Sequence, residues 1–230
     1  MAPALSKSQI EIFFARLKAA TPQPGTELHF VNAYTLLVAV VLSAQATDKG
    51  VNKATDTLFK IADTPAKMLA LGETALSGYV KSIGLYRTKA KNIVALSKIL
   101  LDQHAGAVPH DREALENLPG VGRKTANVVL NVAFGEKTIA VDTHIFRVAN
   151  RTRLAPGKTP RDVEDALLRS VPDVYLLHAH HWLILHGRYV CLARTPKCPE
   201  CAVRDLCRFP YKTAAAVRKP AGARAKWSGN

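Results

Sequence analysis

At 230 residues with 48% hydrophobic side chains, the chain can bury a substantial core without crosslinks, as one large domain or two small ones. Its 32 Lys and Arg against 18 Asp and Glu give a net charge of +14, a field that attracts polyanions and makes nucleic acid the first partner to consider. The longest apolar run, Leu36 to Leu42, is far too short to span a bilayer, and the N-terminus lacks the features of a secretory signal. No basic amphipathic helix or lipidation signal points to a membrane surface, so a cytoplasmic protein is expected.

Apolar residues recur at three- and four-residue spacing with no sustained alternation, which predicts an all-α fold. In chain order the helices fall near 4–20, 33–45, 48–60, 65–71, 73–79, 87–104, 112–117, 122–134, 143–152, 160–171 and 175–190. Thr64-Pro65 and Thr159-Pro160 each set a capping hydroxyl before a proline at the first helical position, and Asp111 is a similar cap. Segments 21–27, 105–110 and 154–159 carry Pro, Gly and Thr in loop-forming density. The last 40 residues hold nine Lys or Arg and two acids, half of the net charge. From Lys212 onward large apolar side chains are scarce, so a basic disordered tail is expected over 212–230.

Leu118-Pro119-Gly120-Val121-Gly122-Arg123-Lys124-Thr125 joins a short helix to a strongly apolar one. Proline stops the first helix, two glycines permit a tight turn, and the free amides of the next helix suit a phosphate oxygen. On its own Pro-Gly-x-Gly is a common helix connector. Here a basic chain and the adjacent Arg123 and Lys124 favour a grip on a nucleic-acid backbone. Lys124 faces the positive end of the helix dipole, which disfavours the ammonium and favours a neutral, nucleophilic amine able to form a Schiff base. Asp142 lies 18 residues further on, after the apolar Ile139-Ala140-Val141, where it reads as a helix cap. A carboxylate there could also take a proton from the lysine and stabilise positive charge.

The four cysteines, Cys191, Cys198, Cys201 and Cys207, crowd into one stretch, which reads as a metal centre rather than a disulfide framework. Spacing alone leaves zinc and an iron–sulfur cluster equally open, and either would be structural because four protein ligands leave no open position. His178, His180, His181 and His186 lie on an apolar helix and read as packing residues.

With these features in hand, the chain closely resembles the endonuclease III family of helix-hairpin-helix DNA glycosylases over roughly residues 5–210. The resemblance is carried by Val41-Leu42-Ser43-Ala44-Gln45-Ala46-Thr47-Asp48, by 118–127, by 141–147, by 181–189 and by the cysteine spacing. It implies two helical lobes around a substrate cleft, one over 25–135 with the hairpin, the other combining 1–24 with 136–211 and a [4Fe-4S] cluster loop. It further implies a monomer that acts on double-stranded DNA with damaged or abasic sites, with Lys124 as Schiff-base nucleophile and Asp142 as its acidic partner. Gln45, Ile83 and Leu85 would fill the gap left by an extruded nucleotide. Leu118, Gly120, Val121, Gly122, Arg123 and Thr125 would grip the strand, and Ser43 and Asp48 would line the lesion pocket. The adenine-mismatch branch of the superfamily is the nearest alternative, and its members typically lack a lysine at position 124. A noncatalytic iron–sulfur DNA-binding protein is the second.

Overall fold

A computed structural model describes residues 3–214, and among them finds ten α-helices, one 3-10 turn and no β-strand. The first core is built on α2 (Ala33–Ser43), whose residues Tyr34 through Leu42 are all buried. A helix apolar on every side must be surrounded, and α3 (Asp48–Ile61), α5 (Tyr86–His104) and α7 (Arg123–Phe134) pack against it. α4 (Pro65–Val80) and α6 (Arg112–Glu116) complete this lobe. The helices expected at 65–71 and 73–79 form one run broken at Gly72, where φ is +77°.

The second core joins α1 (Lys7–Ala20) to α8 (Thr143–Thr152), α9 (Pro160–Ser170) and α10 (Asp173–Tyr189). A Ser6–Gln9 capping box starts α1, and Trp182 Nε1 donates to Thr21 O at 2.8 Å to fasten its end to α10. The N-terminal helix therefore belongs to the lobe made by the C-terminal half of the chain.

One seam between the lobes runs along α7. Arg123 clasps Glu164 of α9 with two parallel bonds, Nη2 to Oε1 at 2.7 Å and Nε to Oε2 at 2.9 Å. Asn127 adds a bond from Nδ2 to the same Oε1 at 3.1 Å, and Asn131 Nδ2 reaches Leu177 O at 3.0 Å. Glu164 is 4% exposed, so this buried carboxylate is satisfied only by these partners. Replacing it with alanine removes one acceptor of the Asn127 amide and both bonds of the Arg123 fork. Glu164→Ala is therefore expected to cost roughly 2–3 kcal/mol, read as a drop in the urea midpoint. An unchanged midpoint would mean that the seam rests on apolar packing alone.

Thr213 Oγ1 donates to Pro196 O at 2.6 Å and accepts from Cys198 N at 3.2 Å, so the chain at 212–213 is tied to the cysteine loop by satisfying its backbone groups. Residues 215–230 of the expected tail lie outside the described residues.

Candidate active site and cysteine centre

The hairpin is a tight turn closed by Val121 N to Leu118 O at 3.0 Å. Gly120 at its corner has φ +80°, and a Cβ there would stand 2.9 Å from Asn92 Nδ2, so both conformation and space demand glycine. Gly120→Ala is expected to cost about 1–3 kcal/mol of stability, measurable as a lower Tm. Leu118 and Val121 are buried and anchor the turn in the first core, leaving the backbone to face outward. Gly122 caps α7 without any side-chain bond. The first-turn amides of Arg123, Lys124 and Thr125 are thus left to an external acceptor.

Lys124 is exposed in the first turn of α7. From Gly135, the left-handed cap of α7, the chain doubles back along that helix, fixed by Thr138 Oγ1 to Asn127 O at 2.6 Å and Asn127 Nδ2 to Ile139 O at 3.4 Å. A helix outward and an extended strand of chain back is how 18 residues of separation return Asp142 to the wall that holds Lys124. There Asp142 caps α8, with Oδ1 accepting from Ile145 N at 2.8 Å. None of the salt bridges among the described residues engages Lys124 or Asp142.

Both residues line a cleft of about 770 Å³ between the lobes. Its opposite wall comes from the α2–α3 junction, with Ser43 at the end of α2, Gln45 in the loop and Asp48 at the start of α3, and from the α4–α5 loop, with Ile83 and Gly84. Gln45 has φ +56° and Leu85 has φ +60°, both rare for side-chain-bearing residues. Leu85 is 62% exposed, whereas Ile83 is 3% exposed. Ile83 therefore shores up the loop from below, and Leu85 is the apolar side chain that projects. Ser43 turns its hydroxyl to Val40 O at 2.8 Å.

Sequence reasoning missed the residue that closes the cleft. Arg188 of α10 bridges Glu27 and Asp48, and Tyr189 bonds the same Glu27 through its hydroxyl. A carboxylate expected in the lesion pocket is thus neutralised by a cation from the other lobe. Gly187 makes the approach possible, since a Cβ there would lie 2.8 Å from His144 Cβ, where α10 crosses the start of α8. Beneath Lys124 lies His180, fully buried, with its Nδ1 unpartnered and its pKa brought down to about 3 by burial, with smaller contributions from His181 and Lys124. Its ring is neutral at physiological pH and adds no charge to the cleft floor.

At the far end of α8, all four cysteines are free, half-buried and line one cavity with Arg151 and His186. Burial pushes the Cys201 thiol up to about 11 and raises that of Cys207 as well. Among the described residues no three potential ligands converge on a single ion. Arg147 and Arg151, one turn apart on α8, hold the loop by its carbonyls: Arg147 Nε to Cys191 O at 3.0 Å and Arg151 Nη1 to Leu192 O at 2.7 Å. The helix that Asp142 caps is therefore the helix that carries the cysteine loop.

The model of the HhH-GPD superfamily of base excision DNA repair proteins matches residues 38–173 of this chain. The chain is 57% identical to endonuclease III of Escherichia coli K12 over 208 residues, covering 90% of this chain and 99% of that protein. It is 59% identical to endonuclease III of Treponema pallidum over 203 residues, 88% of this chain and 96% of the relative. The solved structure of a trapped endonuclease III–DNA covalent intermediate superposes with a TM-score of 0.84 at 45% identity, covering 89% of this chain and 96% of that one. The chain belongs to the endonuclease III family. Among the described residues no helix is long and apolar enough to cross a membrane.

Proposed function

We propose that the protein is a bifunctional DNA glycosylase and abasic-site lyase that removes oxidised pyrimidines from duplex DNA, acting as a monomer in the cytoplasm. The observation that carries this reading is Lys124, exposed, unpaired with any acid, and facing one cleft together with Asp142. A damaged base must first leave the stack, which costs a few kcal/mol. Leu85 and Gln45 enter the vacated space and offset part of that cost. The hairpin amides hold a phosphate of the same strand, so that the sugar rests over Lys124.

In the first step Nζ of Lys124 attacks C1′ through its lone pair. The C1′–N bond breaks, its electron pair leaves with the base, and the base picks up a proton. Asp142 accepts the proton shed by the lysine and stabilises the positive charge on the sugar. The sugar ring then opens to a protonated imine. Loss of a C2′ proton expels the 3′ phosphate by β-elimination, and water finally hydrolyses the imine to free Lys124.

The test is direct. A duplex carrying a single oxidised pyrimidine, incubated with the protein and borohydride, should yield a covalent protein–DNA adduct and, without reductant, a nicked strand. Base release with neither nick nor adduct would instead fit a monofunctional glycosylase and reject the lyase.

For the cysteine centre we infer a [4Fe-4S] cluster held by Cys191, Cys198, Cys201 and Cys207. It would serve structurally, since four thiolates complete the cubane's protein ligation. It would keep Arg194, Lys197, Arg204 and Arg208 on a loop that can meet the DNA backbone. Purified protein is expected to be brown with iron and acid-labile sulfide in equal amounts, and Cys201→Ser to lose both the colour and much of its thermal stability. Colourless anaerobic protein with stoichiometric zinc would overturn this assignment.

A further inference from the structure

Lys89, in the first turn of α5, is the only buried lysine among the described residues, at 5% exposure. Burial lowers its pKa from the ordinary lysine value. None of the salt bridges gives it a carboxylate. Instead Nζ donates to Leu42 O at 2.9 Å and to Ala44 O at 2.5 Å. These carbonyls end α2, where the last helical acceptors lack partners and the negative end of the dipole lies. An ammonium is well suited to that end, but an apolar contact would have filled the space without burying a charge. The cation needs a reason.

Its position supplies one. Ala44 directly precedes Gln45, and the backbone N–H of Lys89 donates to Leu85 O at 3.0 Å. One residue thus holds the α2–α3 loop through its side chain and the α4–α5 loop through its main chain. The loops meet, since a Cβ at Gly84 would lie 3.9 Å from Gln45 O. Each carries a left-handed residue with a full side chain, Gln45 on one and Leu85 on the other. Such conformations persist only where the surroundings over-determine them. We propose that Lys89 is a positioning residue that locks the Gln45 and Leu85 loops in register, so that both side chains enter the duplex together when a nucleotide is extruded. The inference rests on the gap-filling role given to those two side chains above.

The experiment separates extrusion from chemistry. Lys89→Met, Leu85→Ala and Gln45→Ala are compared with the native protein in single-turnover cleavage of two substrates, a duplex with one stacked oxidised pyrimidine and a single-stranded abasic oligonucleotide that has nothing to unstack. A 2-aminopurine opposite the lesion reports insertion by its fluorescence. Lys89→Met is expected to slow duplex cleavage by about 10- to 100-fold and to diminish the fluorescence change, while single-strand cleavage stays within about twofold. Equal slowing on both substrates assigns Lys89 a merely structural role and overturns the proposal. So does an unchanged duplex rate in Lys89→Met when Leu85→Ala and Gln45→Ala are slow. If the latter two are themselves fast on duplex, the gap-filling role is what fails. Should Lys89→Met not fold, Lys89→Gln keeps a donor at the site and is expected to show the same selective loss, smaller in size; equal loss on both substrates sinks the idea there too.

Discussion

Lys124→Ala is expected to lower cleavage at an abasic site by on the order of 10⁵-fold and to abolish borohydride trapping, with DNA affinity changed only a few-fold. The size follows from what is lost, since removing the nucleophile of a covalent route leaves only positioning and electrostatics to help water. The selectivity follows from the structure. Lys124 is exposed and joins no salt bridge, so its truncation leaves the α7 seam through Arg123, Asn127 and Asn131 intact, and stability should shift by no more than about 0.5 kcal/mol. Nearby cationic charge is muted as well. His180 below is neutral, and Arg188 is shared between Glu27 and Asp48. Electrophoresis of borohydride-treated reactions decides the matter: an adduct of undiminished yield from the alanine variant would require another amine. Lys89 is a poor substitute, because its Nζ is buried on the carbonyls of Leu42 and Ala44.

Local chemistry was readable in the sequence and distant pairing was not. The caps at Thr64, Asp111 and Thr159 all appear as expected, each accepting a backbone N–H three residues on, because such bonds close within one helical turn. The hairpin glycines and the cap at Asp142 were legible for the same reason, being a turn, a helix start and a cap joined by a short return that brings Lys124 and Asp142 to one cleft. By contrast, Arg188 meets Asp48 across 140 residues and Glu27 across 161, and nothing in the composition of any of the three segments marks the others. Arg123 reads from sequence as a free basic residue beside the hairpin, but its guanidinium is committed to Glu164, so what it offers a phosphate is its backbone N–H. Lys89 was invisible for a further reason. Its partners are main-chain carbonyls, which every residue carries, and only burial reveals that the charge has been spent inside the protein.

Asp142→Asn is expected to slow base removal and strand cleavage by about 10²–10⁴-fold while leaving the melting temperature nearly unchanged. The proposed mechanism gives this carboxylate a second role beside its observed one as a cap, and the substitution separates the two. As a cap, Oδ1 accepts from Ile145 N at 2.8 Å, and an asparagine oxygen performs that task about as well. As a base it must take a proton from Lys124 and face a developing cation, which a neutral amide does poorly. Asp142→Ala removes both functions, so it should match the asparagine variant in rate and additionally cost about 1 kcal/mol of stability. The comparison also bears on the cysteine loop, because α8 carries Asp142 at its start and Arg147 and Arg151 toward its end. An asparagine variant should therefore keep its visible absorbance, whereas fraying of an uncapped α8 in the alanine variant should loosen the loop and speed loss of iron under a chelator. Equal, full activity in both variants would reduce Asp142 to a cap and leave the proton from Lys124 to be taken by solvent.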